Sequence, residues 1–145
     1  MSTELKLIAH CDADLQVISA LVQDAVLKAS DMAYLDERRI FAIVVNRFKW
    51  EAEEEKLRVR SGLRFHGVTA VKHKNMPPEG QILSLLALRF TPIDGLAGQI
   101  SLVFSASVEI CLDVEACEVI LEDIGAPWPA QSKPQHQIED DGVKE

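Results

Sequence analysis

Arg58, Arg60 and Arg64 recur at even spacing. On an extended strand alternate side chains share a face, so all three project from one side. The planar arginine fork matches the oxygens of carboxylates and phosphates. Such a column therefore suits an acidic protein segment or a phosphorylated small molecule. Arg47 and Lys49 show the same alternation and are expected to extend the face from a neighbouring strand. The plainer explanation is a solvated sheet face, balanced by Glu51, Glu53, Glu54 and Glu55 and kept charged to discourage edge pairing. Charge distribution sharpens the question. Residues 38–74 hold ten of the fifteen Lys and Arg and only four acids, which makes this segment +6 in a chain of net charge −8. One region attracts anions while the remainder repels them.

A second candidate is the block Asn46-Arg47-Phe48-Lys49-Trp50-Glu51. Read as strand, it places Phe48 and Trp50 on one face and Arg47 and Lys49 on the other. Asn46 then falls on the apolar row, where a buried amide must find hydrogen-bond partners. Trp50 offers a large contact area with a polar N–H, suited either to a ligand or to covering the edge of the core. Arg47 and Glu51 share a face but are expected to pair only loosely across two pleats. Near the C-terminus, Trp128 stands between Pro127 and Pro129 and either anchors the chain onto the domain or presents an interaction site.

Other chemistry is poorly supported. His10 and Cys11 are adjacent and point to opposite faces of a strand. His66 and His73 lie an odd spacing apart, and no third metal ligand accompanies them. Cys111 and Cys117 are expected to act as small core hydrophobes. An odd cysteine count without a Cys-x-x-Cys pair argues against a disulfide framework and a zinc site. The carboxylate clusters Asp12/Asp14, Glu53/Glu54/Glu55 and Glu122/Asp123 sit in polar contexts that do not raise a pKa for acid–base work. No Walker or G-x-G-x-x-G pattern is present, and overall acidity argues against nucleic acid as partner. Neither a catalytic residue, a metal nor a cofactor is assigned.

The elements that must position these residues follow from periodicity. Residues 5–9 predict a strand, and the spacing of Leu15, Ile18, Val22 and Ala25 predicts a helix over 13–27 capped by Asp12. Residues 32–35 and 40–50 then alternate as two strands. The run Phe41-Ala42-Ile43-Val44-Val45 is apolar throughout and is expected to be covered on both faces. Residues 57–74 alternate for a long stretch, with Gly62 and Gly67 marking a bulge or bend. Strands are expected at 82–91, 99–104 and 108–114. Residues 114–124 fit a helical stripe through Val114, Cys117, Leu121 and Ile124, favoured here over the alternation of Cys117, Val119 and Leu121.

The expected architecture is α+β: an N-terminal helix on a bent antiparallel sheet or partly closed barrel of about six or seven strands, with a short C-terminal helix. Residues 1–130 are read as one domain and residues 131–145 as a disordered tail, whose Glu139-Asp140-Asp141 run offers an acidic cover for the basic face. The first residues lack the basic and apolar regions of a signal peptide, and no apolar run approaches a membrane span, so a cytoplasmic location is expected.

Three blocks carry a family likeness: Leu5-Lys6-Leu7-Ile8-Ala9 running into residues 14–20, Asn46 to Glu51, and Asp123 to Trp128. From Leu5 to about Pro129 the chain resembles a domain family of unknown function found mainly in alphaproteobacteria. The resemblance implies a small cytoplasmic protein and brings no assigned activity, cofactor or catalytic residue. The function expected from the residues is a non-enzymatic binding or adaptor domain acting through Arg47, Trp50, Arg58, Arg60 and Arg64. A small enzyme with a site assembled from distant residues and a homo-oligomeric structural subunit are the alternatives.

Overall fold

The computed structural model describes residues 5–130. Ten antiparallel strands form one sheet with one α-helix: β1 (Lys6–Ala9), α1 (Asp12–Leu21), β2 (Ala25–Lys28), β3 (Met32–Leu35), β4 (Ile40–Phe48), β5 (Leu57–His66), β6 (Val68–Lys74), β7 (Ile82–Asp94), β8 (Ala97–Phe104), β9 (Glu109–Val114) and β10 (Val119–Pro129). A kinked 3₁₀ helix, Trp50–Glu55, joins β4 to β5. The strands run in the order β1-β10-β5-β4-β2-β7-β8-β9-β6, with β3 paired to β4 beside β2.

The sheet curls without closing into a ring. Helix α1 packs on both β7 and β1, although five places separate those strands in the sheet. At the other end, the Val68 N–H donates to the Arg39 carbonyl, and the Tyr34 hydroxyl donates to the Val68 carbonyl at 2.8 Å. The far edge strand β6 is thereby brought back to the β3–β4 hairpin. Leu15 and Ile18 of α1 and Val22 just past its end join Leu63, Phe65, Leu85, Leu88 and Leu121 in a single core inside the curl. Removing that apolar surface from water is the main force holding the curl shut. Among the described residues no helix is long and apolar enough to cross a membrane.

Several expectations change. Among the described residues there are ten strands rather than six or seven, and no C-terminal helix. Residues 119–129 are strand β10, inserted between β1 and β5 and hydrogen-bonded to both. Two ladders outweigh the local helical stripe, and the alternation of Cys117, Val119, Leu121 and Asp123 proves to be the buried row. Helix α1 stops at Leu21 instead of residue 27. Asp24 adopts a left-handed φ of 62°, and its N–H turns to the Leu85 carbonyl, starting β2. Asp12 does not cap this helix. Cys11 occupies the cap position, and the Asp12 carboxylate accepts the Phe90 N–H at 2.9 Å.

Strand β4 ends at Phe48, so Trp50 belongs to the 3₁₀ helix rather than the strand. The expectation that β4 is covered on both faces also fails, because Phe41, Ile43 and Val45 are buried while Ala42 and Val44 are only half-buried. Gly62 makes no bulge; it lies in unbroken register with Val44 and Glu122. Gly67 does make a bend, at φ 68°, and separates β5 from β6. The expected disorder of residues 131–145 falls outside the described residues.

Candidate functional site

Strand pairing lays out the outer face of β1, β10, β5 and β4 row by row, because directly opposed residues point the same way. One row is Ile8, Ile120, Arg64 and Ala42; the next is Lys6, Glu122, Gly62 and Val44. The third holds Ile124, Arg60 and Asn46, and the fourth Trp128, Arg58 and Phe48. Arg58, Arg60 and Arg64 thus share one face of one strand. That face also carries Lys6, two half-exposed isoleucines, Ile8 (50%) and Ile124 (47%), and Trp128 at 39%. Four cations there stand against a single carboxylate, Glu122.

The arginines are not equivalent. Arg64 pairs with Glu122 at 3.3 Å, both side chains about two-fifths exposed. Arg58 is half-buried, and its Nη1 donates to the Asn46 carbonyl at 3.1 Å. Burial pulls its pKa below the ordinary arginine value, partly opposed by the charge of Asp24. Among the described residues, the side chains of Arg60 and Lys6 are exposed and engage no hydrogen bond or ion pair. Within the described residues nothing competes for these two cations.

Arg47 is elsewhere. It continues the core row Phe41, Ile43, Val45 and is fully buried at 0% exposure. Its guanidinium points across β5 between two carboxylates. The Nε and Nη2 edge donates to both oxygens of Asp123, at 3.0 Å each. The Nη1 and Nη2 edge donates to both oxygens of Glu51, at 2.9 and 2.8 Å. The second Nη1 proton points to the Phe48 carbonyl at 3.4 Å, so all five donors of the fork have acceptors.

Ser61 shares this cluster, donating its hydroxyl to Asp123 at 2.7 Å. Asp123 also exchanges hydrogen bonds with Leu5 through its N–H and its carboxylate. Desolvation works against the ionised Asp123 and Glu51, yet the hydrogen bonds and charge of Arg47 outweigh it and hold both carboxyls below their ordinary range. Desolvation likewise opposes the Arg47 charge, and its two carboxylates raise its pKa in net. A fully satisfied charge cluster of this kind ties β4, β5, β10 and the 3₁₀ helix together. It leaves Arg47 no donor for a ligand.

The expectation that Arg47 and Lys49 extend the exposed face is therefore corrected: both are buried. So is the expected loose pairing of Arg47 with Glu51. Because β4 ends at Phe48, Glu51 lies on a 3₁₀ turn that swings its carboxylate back onto the guanidinium. Trp50 donates its indole N–H to the Gln23 carbonyl at 3.0 Å and packs edge-on against Phe48, with centroids 4.8 Å apart. It covers Phe48 where the outer face ends. The hydrogen-bond partners expected for the Asn46 amide are not all found: among the described residues its Oδ1 is buried without one.

Cys117 is buried, but Cys111 lies outside the core, with its thiol 3.7 Å from a Glu109 carboxylate oxygen. Among the described residues no three His, Cys, Asp or Glu gather as a metal site. Two surface clefts lie away from the arginine rows: one of about 450 Å³ at residues 34–38, the other of about 130 Å³ between Lys72, Lys74, Glu109 and Cys111.

Asp123, Ser61, Lys6 and Ile124 were missed by sequence reasoning. A usable signal existed for the first. Asp123 continues the alternation of Cys117, Val119 and Leu121, and a carboxylate on a buried row requires a buried cation. Arg47 continues the row of Phe41, Ile43 and Val45 in the same manner. Lys6 and Ile124 join the arginine face only through the β1–β10–β5 register, which has no local signature.

Residues 5–136 match the model of a family described as "Protein of unknown function (DUF2948)". No curated protein and no solved structure matches the chain.

Proposed function

The chain belongs to this family of proteins of unknown function, and from that premise we propose that it is a non-enzymatic binding domain whose partner is an acidic protein segment. The recognition surface is the outer face of β1, β10 and β5, with Arg60 and Lys6 as its free cations and Arg58 and Arg64 beside them. The observation that carries this reading is the pair of unengaged cations flanking exposed Ile124 and Ile8 on an otherwise acidic protein. Cations beside exposed apolar side chains suit a macromolecular partner, which can supply both carboxylates and apolar contact.

A phosphorylated small molecule fits less well. Two rows separate Arg60 from Arg64, so their backbone positions lie ~13 Å apart, too far for one phosphate to span. Arg47 plays no direct part, and Trp50 contributes by packing Phe48 rather than by contact with the partner.

The test is a low-salt pull-down from a lysate of the source cell, comparing wild type with Lys6→Glu/Arg60→Glu. Both side chains are exposed and unpaired among the described residues, although Lys6 stands opposite Glu122 across the β1–β10 ladder, so the single variant Arg60→Glu is run beside the double one. Circular dichroism confirms the fold first. A partner retained by wild type and lost on charge reversal is the expected outcome. Identical profiles overturn the reading and leave these residues as solvated sheet positions.

A further inference from the structure

We infer that the partner segment is an amphipathic helix carrying a stripe of carboxylates beside a stripe of apolar side chains; this deepens, and rests on, the reading of the outer face as a surface for acidic protein. The pairing pattern supplies the first argument. β5 is bonded to β10 and β4, and β10 to β1 and β5, so their backbone groups are already committed to neighbours within the sheet. An extended peptide laid over β5 and β10 would find no ladder for its own N–H and C=O groups, and the outer edge of β1, four residues long, lies a strand beyond the arginine column's neighbour. A helix brings its backbone already satisfied and needs only side-chain contact.

Spacing supplies the second. Alternate residues along a strand face stand ~7 Å apart, and carboxylates four residues apart on a helix rise ~6 Å. Arg58 and Arg60 thus match acids one turn apart, and Arg64, ~13 Å beyond Arg60 across Gly62, matches an acid two turns further on. The third argument is the arrangement across the strands. Ile120 and Ile124 flank Glu122 on β10, whose carboxylate is already taken by Arg64, and Ile8 on β1 extends the apolar contact from Ile120, immediately beside the cationic column on β5. Adjacent strands lie ~4.8 Å apart and a helix is ~10 Å wide, so one helix covers both columns together. Charge complementarity sets its polarity of composition: acids toward β5, apolar residues toward β10 and β1, with Lys6 reaching the far side.

The experiment uses the full chain and two fluorescein-labelled peptides of one Glu/Leu/Ala composition, each about five helical turns long. In the first peptide Leu and Glu form adjacent stripes; in the second the same residues are permuted so that no face is apolar or acidic. Anisotropy titrations are expected to give at least ~10-fold tighter binding of the striped peptide. Arg60→Glu weakens both peptides, whereas Ile124→Ser and Ile8→Ser weaken only the striped one. Each variant is checked by circular dichroism, and the exposure of all three residues keeps the core out of the comparison. Equal affinity for the two peptides, lost in Arg60→Glu, overturns the helix inference while leaving an acid-binding face. No binding of either peptide also overturns the inference; the pull-down with Lys6→Glu/Arg60→Glu then decides the broader reading by itself.

Discussion

Arg47 on β4 and Asp123 on β10 are 76 residues apart in sequence and separated by a whole strand, yet their side chains meet in a two-point ion pair at 3.0 Å beneath β5. Ser61, on the intervening strand, bonds to both. Three adjacent strands are therefore cross-linked on their inner face.

Removing this guanidinium strands two carboxylates, one of them buried. Arg47→Ala is expected to cost about 3–5 kcal/mol, in the range found when one partner of a buried pair is deleted. Asp123→Asn keeps the shape and leaves Glu51 on the fork, so its cost should be smaller. Urea denaturation measures both. A loss under about 1 kcal/mol for Arg47→Ala would place the cluster with ordinary surface pairs instead.

The same cluster makes stability sensitive to acid. Asp123 and Glu51 have folded-state pKa values below their ordinary values of 3.8 and 4.5. Stability from them is fully present above those ordinary values and is lost as pH falls through the lower folded-state values. Denaturation midpoints should therefore hold steady near neutrality and drop below about pH 4. In Arg47→Met, which has no charge to favour the ionised carboxyls, that acid-dependent drop should shrink.

Cysteine reactivity offers an independent check of the burial pattern. Burial first, and then the charges of Cys11, Asp12 and Asp14, push the Cys117 thiol from an ordinary 9.0 up to about 11. Cys11 is exposed. A thiol reagent near neutral pH should modify Cys11 rapidly and Cys117 only after denaturant is added. The raised value also fixes the alkaline limb. The unfolded chain ionises this thiol first, so its contribution is complete below about pH 9 and is lost as pH rises through about 11. Cys117→Ala should flatten that part of the profile.

Much of this fold was legible from alternation, and the failures have particular causes. Residues 57–74 gave the arginine column of β5 and the bend at Gly67 correctly, since period two dominates there and a left-handed φ suits glycine. Residues 114–124 misled because Val114, Cys117, Leu121 and Ile124 satisfy a helical period by coincidence, and only the pairing of residues from Val119 onward with both β1 and β5 decides against it. Arg47 misled for a related reason. Its charge argued for solvent, while its parity with Phe41, Ile43 and Val45 argued for the interior, and parity prevailed because Asp123 and Glu51 were there to receive it. The apolar half of the candidate surface was invisible locally, because Ile8 and Ile124 become neighbours of the arginines only through register.

The position of β10 has a consequence in time. A ribosome releases the chain from its N-terminus, so β1, β4 and β5 emerge well before the strand that lies between β1 and β5. Until residues 119–129 are available, β1 has no ladder partner and Arg47 lacks its buried counter-ion. Domains rich in such distant pairings form slowly, because loop closure must precede the contacts that reward it. Assembly here should therefore finish after translation of β10 rather than proceed strand by strand, and a nascent chain halted before residue 119 would leave β5 as an open edge with β1 unattached.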